Sequence, residues 1–420
     1  DAKTNRTRNV IARGYYKVAD NIKPVIHSVS YYVVDTVRGV PFHTLAAKVA
    51  AVSRGNGRYE LAAPVKAPGR GYFTVETHDR KNNTSFNMAA YRIRMDVDSV
   101  QRFEFIMDAF DYTQTRYAQT VAQYTDNLKS KYDVYRLAVQ GDGGRLPFYG
   151  KVVNRGVIDP SRDKSINISV EDDNGNVSEL GFTIEYAPFL YLDTISIPTG
   201  AVPVDYRREF RRTSDSLTVV IPANALYESI FYTHKRLPQA PQIDGAQNAV
   251  VLSDFYEVHN TDTPIHSSVK LSIRADVPEE MRPKLLLARV VPGKAPSKFV
   301  SAVKASYKDG VATANVSSFG VWCVVADTTP PTVVPSFKSG ADLSGAKTMV
   351  FTIKDNLAGI ASYRVEIDGK WAIMEHHTIQ NTLTHHFDDE RFGKGKNHTV
   401  KVTLKDGSGN STTITRNYFR

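Results

Sequence analysis

The clearest alternation of hydrophobic and polar residues lies near the end of the chain, where it predicts a β-hairpin. Val400, Val402 and Leu404 alternate with polar residues, as expected for a strand with one buried face. Residues 406–410, Asp-Gly-Ser-Gly-Asn, supply the left-handed conformations that a tight turn needs. The segment that follows, 411–418, is the expected second strand of this hairpin.

The same design occurs upstream, together with two other recurring patterns. With the upstream member first, the matching segments are 20–26 and 327–333, 73–96 and 351–368, and 166–186 and 400–418. Three landmarks in the same order indicate a duplicated module. The downstream copy is complete at 329–420, whereas the upstream copy carries extra residues.

The chain is predicted to have four parts. They are a connector from a missing upstream domain (1–19), an Ig-like β-sandwich with an insertion at about 101–160 (20–187), a second β-sandwich of a different type (188–326) and a C-terminal Ig-like β-sandwich (327–420). Long helical patterns are absent, although 115–124 is expected to form a short helix or an ordered loop. The predicted fold class is all-β, with tandem Ig-like or fibronectin-like sandwiches and little helix.

Composition and charge narrow the range of partners. The 420 residues are 41% hydrophobic and carry a net charge of +9, which favours anionic partners such as wall polymers or lipid headgroups. We expect the basic cluster Arg207, Arg208, Arg211 and Arg212 to be a solvated strand edge or loop, because charged edges block unwanted pairing. Aromatic-rich nucleic-acid motifs are missing, and no apolar run is long enough to cross a membrane. Neither a nucleic-acid partner nor a transmembrane segment is therefore expected.

Cysteine and histidine offer two candidates for special chemistry. The single Cys323 excludes an internal disulfide, and its apolar surroundings predict a buried small hydrophobe. His376-His377 and His385-His386 flank a predicted turn at Gln380-Asn381, which would place imidazoles across a hairpin as ligands for zinc or copper. Neighbouring residues on a strand point to opposite faces. We therefore prefer the alternative, an exposed polar hairpin, and assign no metal ligand here.

The turns at 172–176 and 406–410 invite a calcium interpretation, because carboxylate and carbonyl oxygens converge in such loops. An EF-hand needs glycine at its sixth position and glutamate at its twelfth, but counting from Asp406 these positions hold Ser411 and Asn417. An EF-hand is excluded. A looser calcium site remains open beside the default interpretation, a hydrogen-bonded Asx-type turn.

No catalytic or cofactor-binding residue is assigned. The chain contains neither G-x-S-x-G nor a glycine-rich phosphate loop. Exposed aromatic rings on a sandwich face can stack on sugars, and Trp371 is the candidate ligand-binding residue for this role. The alternative, which we prefer, is that Trp371 is an ordinary core or hairpin aromatic.

Several diffuse features resemble the region downstream of the catalytic domain in lysostaphin/LytM-type zinc metallopeptidases from Gram-negative envelopes. The matching segments are 1–9, 18–26, 78–91, 115–117, 318–320 and 355–369. The family's catalytic strand carries H-x-H, which this chain lacks. His385 and Asp389 match the family's H-x-x-x-D, a match we treat as coincidence.

The resemblance implies a non-catalytic C-terminal region that positions or docks a peptidoglycan-cleaving domain. It also implies a periplasmic or cell-surface location, association with the outer membrane, and an envelope protein or peptidoglycan as partner. Zinc is expected only in the missing peptidase domain, and this chain itself is not expected to be an enzyme. Two alternatives stay open: a scaffold subunit of an outer-membrane or cell-surface assembly, and a glycan-binding module.

Overall fold

Strands dominate the protein, and this confirms the predicted all-β class of tandem sandwich domains. A computed structural model describes residues 6–141, 146–188, 197–244, 249–291, 296–388 and 390–420. The described helices are all short: the 3₁₀ segments Tyr112–Tyr117, Asn154–Gly156 and Glu279–Lys284, and the α-helices Ala118–Val121 and Tyr124–Asn127. Three of them fall in or beside 115–124, where a short helix was expected. None of the described helices has the length and hydropathy required to cross a membrane.

The strands are numbered in chain order. The first group is β1 (Arg6–Arg8), β2 (Val25–Val37), β3 (Val40–Gly55), β4 (Arg58–Leu61), β5 (Val65–Ala67), β6 (Gly71–His78), β7 (Arg92–Val97), β8 (Val100–Ile106), β9 (Ala109–Asp111), β10 (Asp133–Arg136), β11 (Lys164–Glu171) and β12 (Val177–Tyr186).

The next strands are β13 (Val202–Val204), β14 (Phe210–Thr213), β15 (Leu217–Ile221), β16 (Ile230–Tyr232), β17 (His234–Arg236), β18 (Ala249–Val251), β19 (Tyr256–Val258), β20 (Val269–Arg274), β21 (Leu285–Val291), β22 (Lys298–Lys304), β23 (Ser306–Lys308), β24 (Val311–Val316) and β25 (Gly320–Asp327). The last are β26 (Thr332–Pro335), β27 (Ala341–Asp342), β28 (Thr348–Lys354), β29 (Ile360–Ile367), β30 (Lys370–Trp371), β31 (Glu375–His377), β32 (Thr382–His386), β33 (Asn397–Asp406) and β34 (Ser411–Phe419).

The chain forms two compact units. One contains Asp1–Phe210, Ile221–Thr233 and Thr261–Ser268, and the other contains Arg211–Val220, His234–Asn260 and Val269–Arg420. The region expected to form a separate second sandwich, 188–326, thus contributes segments to both units. The boundaries at 187/188 and 326/327 stay predictions.

The first unit contains a ten-stranded sheet in the order β10-β6-β2-β3-β4-β12-β11-β7-β8, with β5 also paired to β12. The long strand β3 pairs with β2 along its first part and with β4 along its last part, so it connects the two layers of the sandwich. Strand β2 begins at Val25, a few residues after the start of the predicted module at residue 20. The predicted insertion at 101–160 is only partly an insertion, because β8 and β10 are members of this sheet.

The C-terminal module has two sheets, β26-β28-β32-β31 and β27-β34-β33-β29-β30. Its strand order repeats that of the first module. Strands β2-β6-β10 correspond to β26-β28-β32, and β12-β11-β7-β8 correspond to β34-β33-β29-β30. In both modules a short strand pairs in parallel with the last one. The shared topology supports the duplication that the sequence indicated.

The hairpin predicted at 400–418 forms as expected. Strands β33 and β34 are antiparallel, and Lys405 lies opposite Ser411 across the turn. Val400, Val402 and Leu404 are buried in one core with Phe351 and Ile367, because every second residue of a strand points to the same face. The upstream hairpin β11–β12 is built in the same way, with Glu171 opposite Val177.

The middle region contains two larger sheets. One has the order β14-β15-β20-β24-β23, and the other has the order β17-β19-β25-β21-β22 with β18 also paired to β25. Every residue of β25 is buried, including Cys323, as expected for that cysteine. Burial raises the pKa of the Cys323 thiol. Strand β14 lies at the edge of its sheet with Arg211 and Arg212 exposed, which confirms the interpretation of the basic cluster as a solvated edge.

Candidate functional site

Three aspartates converge at one end of the first module. Asp20 precedes β2, Asp79 follows β6, and Asp172 follows β11. Each carboxylate offers one oxygen, and these three oxygens lie within 4.8 Å of one another. We call Asp20, Asp79 and Asp172 the first cluster.

The C-terminal module repeats this arrangement. Asp327 ends β25 just before the module's first strand, Asp355 follows β28, and Asp406 ends β33. Their carboxylates also offer one oxygen each within 4.8 Å. We call Asp327, Asp355 and Asp406 the second cluster. The two clusters occupy equivalent strand ends because the two modules share one strand order.

The turn aspartate is held in the same way in both copies. Asp172 Oδ1 accepts hydrogen bonds from the backbone N of Asn174 (2.9 Å) and of Asn176 (2.8 Å). Asp406 Oδ1 accepts from Ser408 N (2.9 Å) and Asn410 N (2.8 Å). These bonds confirm the expected Asx-type turns.

In each turn, one asparagine side chain hydrogen-bonds both the turn aspartate and the backbone of the aspartate that enters the module. Asn176 Nδ2 donates to Asp172 Oδ2 (2.8 Å) and to the backbone oxygen of Asp20 (3.3 Å). Asn410 Nδ2 donates to Asp406 Oδ2 (2.8 Å) and to the backbone oxygen of Asp327 (2.8 Å). The asparagine therefore ties the turn to the chain that enters the module.

The carboxylate of the entering aspartate also has equivalent donors. Asp20 Oδ1 accepts from the backbone N of Ile22 (3.1 Å) and Asn82 (3.3 Å). Asp327 accepts from Thr329 N at Oδ1 (3.1 Å) and from Ala358 N at Oδ2 (3.0 Å). In each copy, one donor lies two residues after the entering aspartate. The other donor lies three residues after the second aspartate of the cluster, Asp79 or Asp355.

Some carboxylate oxygens are buried without a hydrogen-bond donor. They are Asp20 Oδ2 and Asp79 Oδ1 in the first cluster and Asp355 Oδ1 in the second. Asp79 is only 2% exposed, and the side chain of Asp20 is fully buried. Buried polar atoms in proteins are nearly always hydrogen-bonded, so each exception requires an explanation.

Burial makes these carboxylates costly to ionise. Burial, with repulsion from Asp172 and Asp20, raises the pKa of Asp79 to about 7. Burial also raises the pKa of Asp172, and it raises that of Asp327 together with repulsion from Asp355 and Asp406. Two like charges 4 Å apart near a protein surface repel by about 4 kcal/mol. The clusters are therefore places where a cation or a proton is strongly favoured.

The nearby lysines balance the two clusters differently. Lys81 Nζ lies 3.6 Å from Asp20 Oδ2, and it also binds Asp173 and Asn174. In the second copy, the charge of Lys304 interacts with those of Asp406 and Asp327. Lys284 Nζ donates to the side-chain oxygen of Asn410 (2.6 Å).

The turns of these clusters were predicted from the sequence, but their other members were not. Asp20, Asp79, Asp327 and Asp355 all lie within the matched landmarks, yet they were compared only as strand boundaries. The available signal was that each recurring landmark carries an aspartate in both copies, at the start of the first landmark, at the end of the first strand of the second, and at the start of the turn in the third. Three acidic residues repeated in register are hard to explain by turn chemistry alone.

The histidines do not pair across the hairpin, in line with the preferred interpretation that assigned no metal ligand here. A turn forms at 378–381 as predicted, but the register places His376 opposite Leu383 and His377 opposite Thr382. His385 is fully buried, with Nδ1 3.0 Å from the backbone oxygen of Ile373. His386 instead contacts Glu375, at 3.0 Å. Asp389, the partner of His385 in H-x-x-x-D, lies outside the described residues.

Trp371 lies on the surface. It occupies β30 opposite Glu366 and is 51% exposed, so it is a hairpin aromatic outside the core. The other tryptophan, Trp322, is 1% exposed. Trp371 is therefore the tryptophan that an external ligand can reach.

A second group of charged residues is buried in the first unit. Arg136 is 3% exposed and pairs with Glu228 at 3.0 Å. Burial opposes the charge of Glu228, but Arg136 and His43 outweigh it and hold the pKa of Glu228 at about 2. Gln123 accepts from Arg136 at 2.9 Å, and the Arg136 guanidinium lies over the ring of Tyr72. Fully paired in this way, the group acts as a structural network.

An apolar cavity of about 410 Å³ also lies in the first unit. Phe105, Phe110, Tyr135 and Phe148 line it, with Asp133 as the one acidic side chain. Burial raises the pKa of Asp133 and so disfavours a negative charge on this side chain. The cavity can hold an apolar group, and Gln114, Thr115, Gln119 and Asn127 also line it.

Comparison with known proteins gives one family match. Residues 201–327 match the Zu5-like domain, which is fewer than a third of the chain. No curated protein matches the sequence.

Three solved structures are distantly similar. The fibronectin(III)-like modules of CbhA from Clostridium thermocellum are 15% identical over 36% of this chain and 84% of theirs, with a TM-score of 0.18. Latent PorU from Porphyromonas gingivalis is 10% identical over 85% of this chain and 32% of its own, with a TM-score of 0.17. Drosophila N-cadherin EC1-4 is 10% identical over 66% of this chain and 63% of its own, with a TM-score of 0.17. Likeness at this level carries no argument about function.

Proposed function

We propose that this chain is a non-catalytic scaffold of an envelope or cell-surface assembly, in which β-sandwich modules hold their neighbours at a fixed spacing. The observation that carries the proposal is the Asn410–Asp327 hydrogen bond. Asp327 is the last residue of a strand in the six-stranded sheet of the middle region, and Asn410 belongs to the C-terminal module. The bond therefore joins two sandwiches within the second unit.

Other contacts strengthen this joint. Leu357 and Ala358 of the C-terminal module pack against the apolar cluster that contains Phe255 and Val325 of the middle region. Ser408 Oγ donates to the backbone oxygen of Lys284 at 3.4 Å. The connecting residues 327–331 include two consecutive prolines, which favour an extended and stiff chain. Packing, hydrogen bonds and linker together favour a fixed angle between the two sandwiches.

A fixed joint suits a scaffold better than it suits a catalyst. Rigid sandwiches carry variable loops in defined positions, and many unrelated surface functions use them in this way. The aspartate clusters lie at module ends, where they secure the entering chain rather than line a cleft. The net charge of +9 favours approach to anionic envelope surfaces, and this attraction weakens with salt.

Docking of a peptidoglycan-cleaving domain is a narrower version of the same role. Its support is the resemblance to the region downstream of LytM-type peptidases. It stays a prediction, and the gene sequence upstream of Asp1 tests it. An in-frame H-x-x-x-D and H-x-H favour a peptidase parent, with zinc in that upstream domain; a signal peptide directly before Asp1 contradicts it.

Distance measurement between spin labels tests the scaffold function on the full chain. One label on Lys235 of β17 and one on Thr415 of β34 report the angle between the two sandwiches of the second unit. We expect a single narrow distance distribution, broadened by Asn410→Ala and unchanged by Asn397→Ala. A broad distribution in the unmodified chain would contradict a scaffold, as would release of peptide fragments from peptidoglycan by the purified chain.

A further inference from the structure

We propose that each three-aspartate cluster binds one calcium ion, and that the ion at Asp327, Asp355 and Asp406 locks the joint between two sandwiches. The site deepens the scaffold function by naming what fixes the angle. Calcium binding can nevertheless be measured without knowing which molecules the scaffold binds.

The spacing of the oxygens fits one ion. Calcium binds oxygens at 2.3–2.6 Å, so two oxygens on one ion are at most about 5 Å apart. In each cluster the three carboxylates offer oxygens within 4.8 Å of one another. All three ligands are hard oxygen donors, which suit calcium and do not suit copper or the usual zinc centres.

The first cluster contains oxygens that lack any other explanation. Asp79 is only 2% exposed, and its Oδ1 accepts no hydrogen bond. The side chain of Asp20 is fully buried, and its Oδ2 likewise has no hydrogen bond, with Lys81 Nζ 3.6 Å away as its nearest charge partner. A cation bound among the three carboxylates would satisfy both oxygens. The geometry of the turns does not explain why these two oxygens lack hydrogen-bond donors.

The second cluster repeats the first, with Lys304 in place of Lys81 as the lysine whose charge interacts with it. Asp355 Oδ1 is a buried atom with no hydrogen bond, whereas Asp327 and Asp406 are 0% and 2% exposed. Hydrogen bonds from Thr329, Ala358 and Asn410 orient Asp327 and Asp406. The backbone N atoms of Leu357 and Gly359 donate to Asp355 Oδ2. Duplication has kept the positions of all three acids, which a single turn would not need.

Calcium binding here has a mechanical consequence. Asp327 belongs to β25 of the middle region, and Asp355 and Asp406 belong to the C-terminal module. One ion held by all three would join the two sandwiches directly. Asp20 stands at the equivalent entry to the first module, so the first site would fix the chain that enters there.

Titration calorimetry on the full chain, stripped with a chelator and then titrated with CaCl₂, tests the proposal. We expect two calcium ions per chain. Asp79→Asn and Asp355→Asn should each remove one ion and leave the other. Matched controls are Asp173→Asn, next to the first cluster, and Asp342→Asn, an exposed acid of the C-terminal module; both should retain two.

Thermal unfolding of the same samples excludes misfolding as the cause. Removing one of three crowded charges relieves repulsion, so without calcium each cluster variant should melt no lower than the unmodified chain. With roughly 10 mM calcium, above the affinity range of typical extracellular modules, the unmodified chain should melt higher, and each variant should lose part of that shift. Magnesium should produce a smaller shift, because it gives up its waters reluctantly.

Three results would overturn the sites: no heat and no shift with calcium, equal shifts with calcium and magnesium, or two ions retained in both cluster variants. The spin-label distances separate this outcome from failure of the scaffold. A chain that binds two ions yet keeps a broad distance distribution contradicts the scaffold and the locking role of the second ion, but not the two calcium sites. A rigid chain that binds none contradicts the calcium sites alone.

Discussion

The side-chain amide of Asn410 donates a 2.8 Å hydrogen bond to the backbone oxygen of Asp327, which lies 83 residues earlier in the chain. Asn410 is 7% exposed, and its Oδ1 accepts from Lys284. One side chain thus connects the closing turn of the C-terminal module to the strand that leads into it. The equivalent bond in the first module, from Asn176 to Asp20, is longer at 3.3 Å.

Replacing this asparagine should destabilise the second unit. Asn410→Ala leaves buried acceptors unpaired, and we expect it to lower the free energy of unfolding by about 1–3 kcal/mol. Asn176→Ala should cost less, because its bond to Asp20 is longer and its side chain is only partly buried. Urea unfolding followed by circular dichroism measures both. Asn397→Ala, an exposed residue of the same hairpin, is the control; an equal loss there would contradict the assigned role.

The alternation along β33 predicts opposite outcomes for neighbouring residues. Leu404 is fully buried, whereas Lys405 is exposed. Leu404→Ala should lower the free energy of unfolding by roughly 2–5 kcal/mol through lost burial and a new cavity. Lys405→Ala should change it by about 0.5 kcal/mol or less. Chemical denaturation of the two variants measures the difference, and similar losses would mean that the strand register is wrong.

His259 should make stability depend on pH. The residue is 7% exposed, its ring packs edge-on against Phe319, and burial lowers its pKa to about 4. The unfolded chain binds a proton at a pKa near 6.5. The neutral folded form therefore contributes its full stability above pH 6.5, and that contribution is lost as the pH falls from about 6.5 to about 4.

The test is the slope of unfolding free energy against pH in this window. His259→Asn should flatten part of the slope, and asparagine tolerates the positive φ of 53° at this position. His78, whose pKa burial also lowers to about 4, remains to provide a residual slope. A profile for His259→Asn identical to that of the unmodified chain would contradict the prediction.

The two tryptophans provide a test of the glycan-binding alternative. Trp371 is 51% exposed and Trp322 is 1% exposed, so acrylamide should quench Trp371 and largely spare Trp322. Trp371→Phe should leave blue-shifted emission that resists quenching. Titration with peptidoglycan fragments at millimolar concentration should not change the emission of the unmodified chain. A change that disappears in Trp371→Phe would favour a glycan-binding module instead.

Local patterns were sufficient for most of the fold. The alternation at Val400, Val402 and Leu404 and the glycines of the following turn fixed a hairpin, because strand period and turn chemistry act over a few residues. The same reasoning found the upstream copy ending at Tyr186. It did not find that β8 and β10 belong to the first module's sheet, because pairing between distant strands leaves little trace in local composition.

For the candidate site, too, the sequence determined some features and the tertiary structure decided the others. The sequence alone determined the strands, the turns, the buried position of Cys323 and the order of the three recurring landmarks. Only the tertiary structure decided which side chains meet. Strand register set His376 opposite Leu383 instead of another histidine, and a shift of one residue would have reversed the faces. Sheet order brought Asp20, Asp79 and Asp172 together and buried their oxygens away from water, because the distance between strand ends depends on packing and not on separation along the chain.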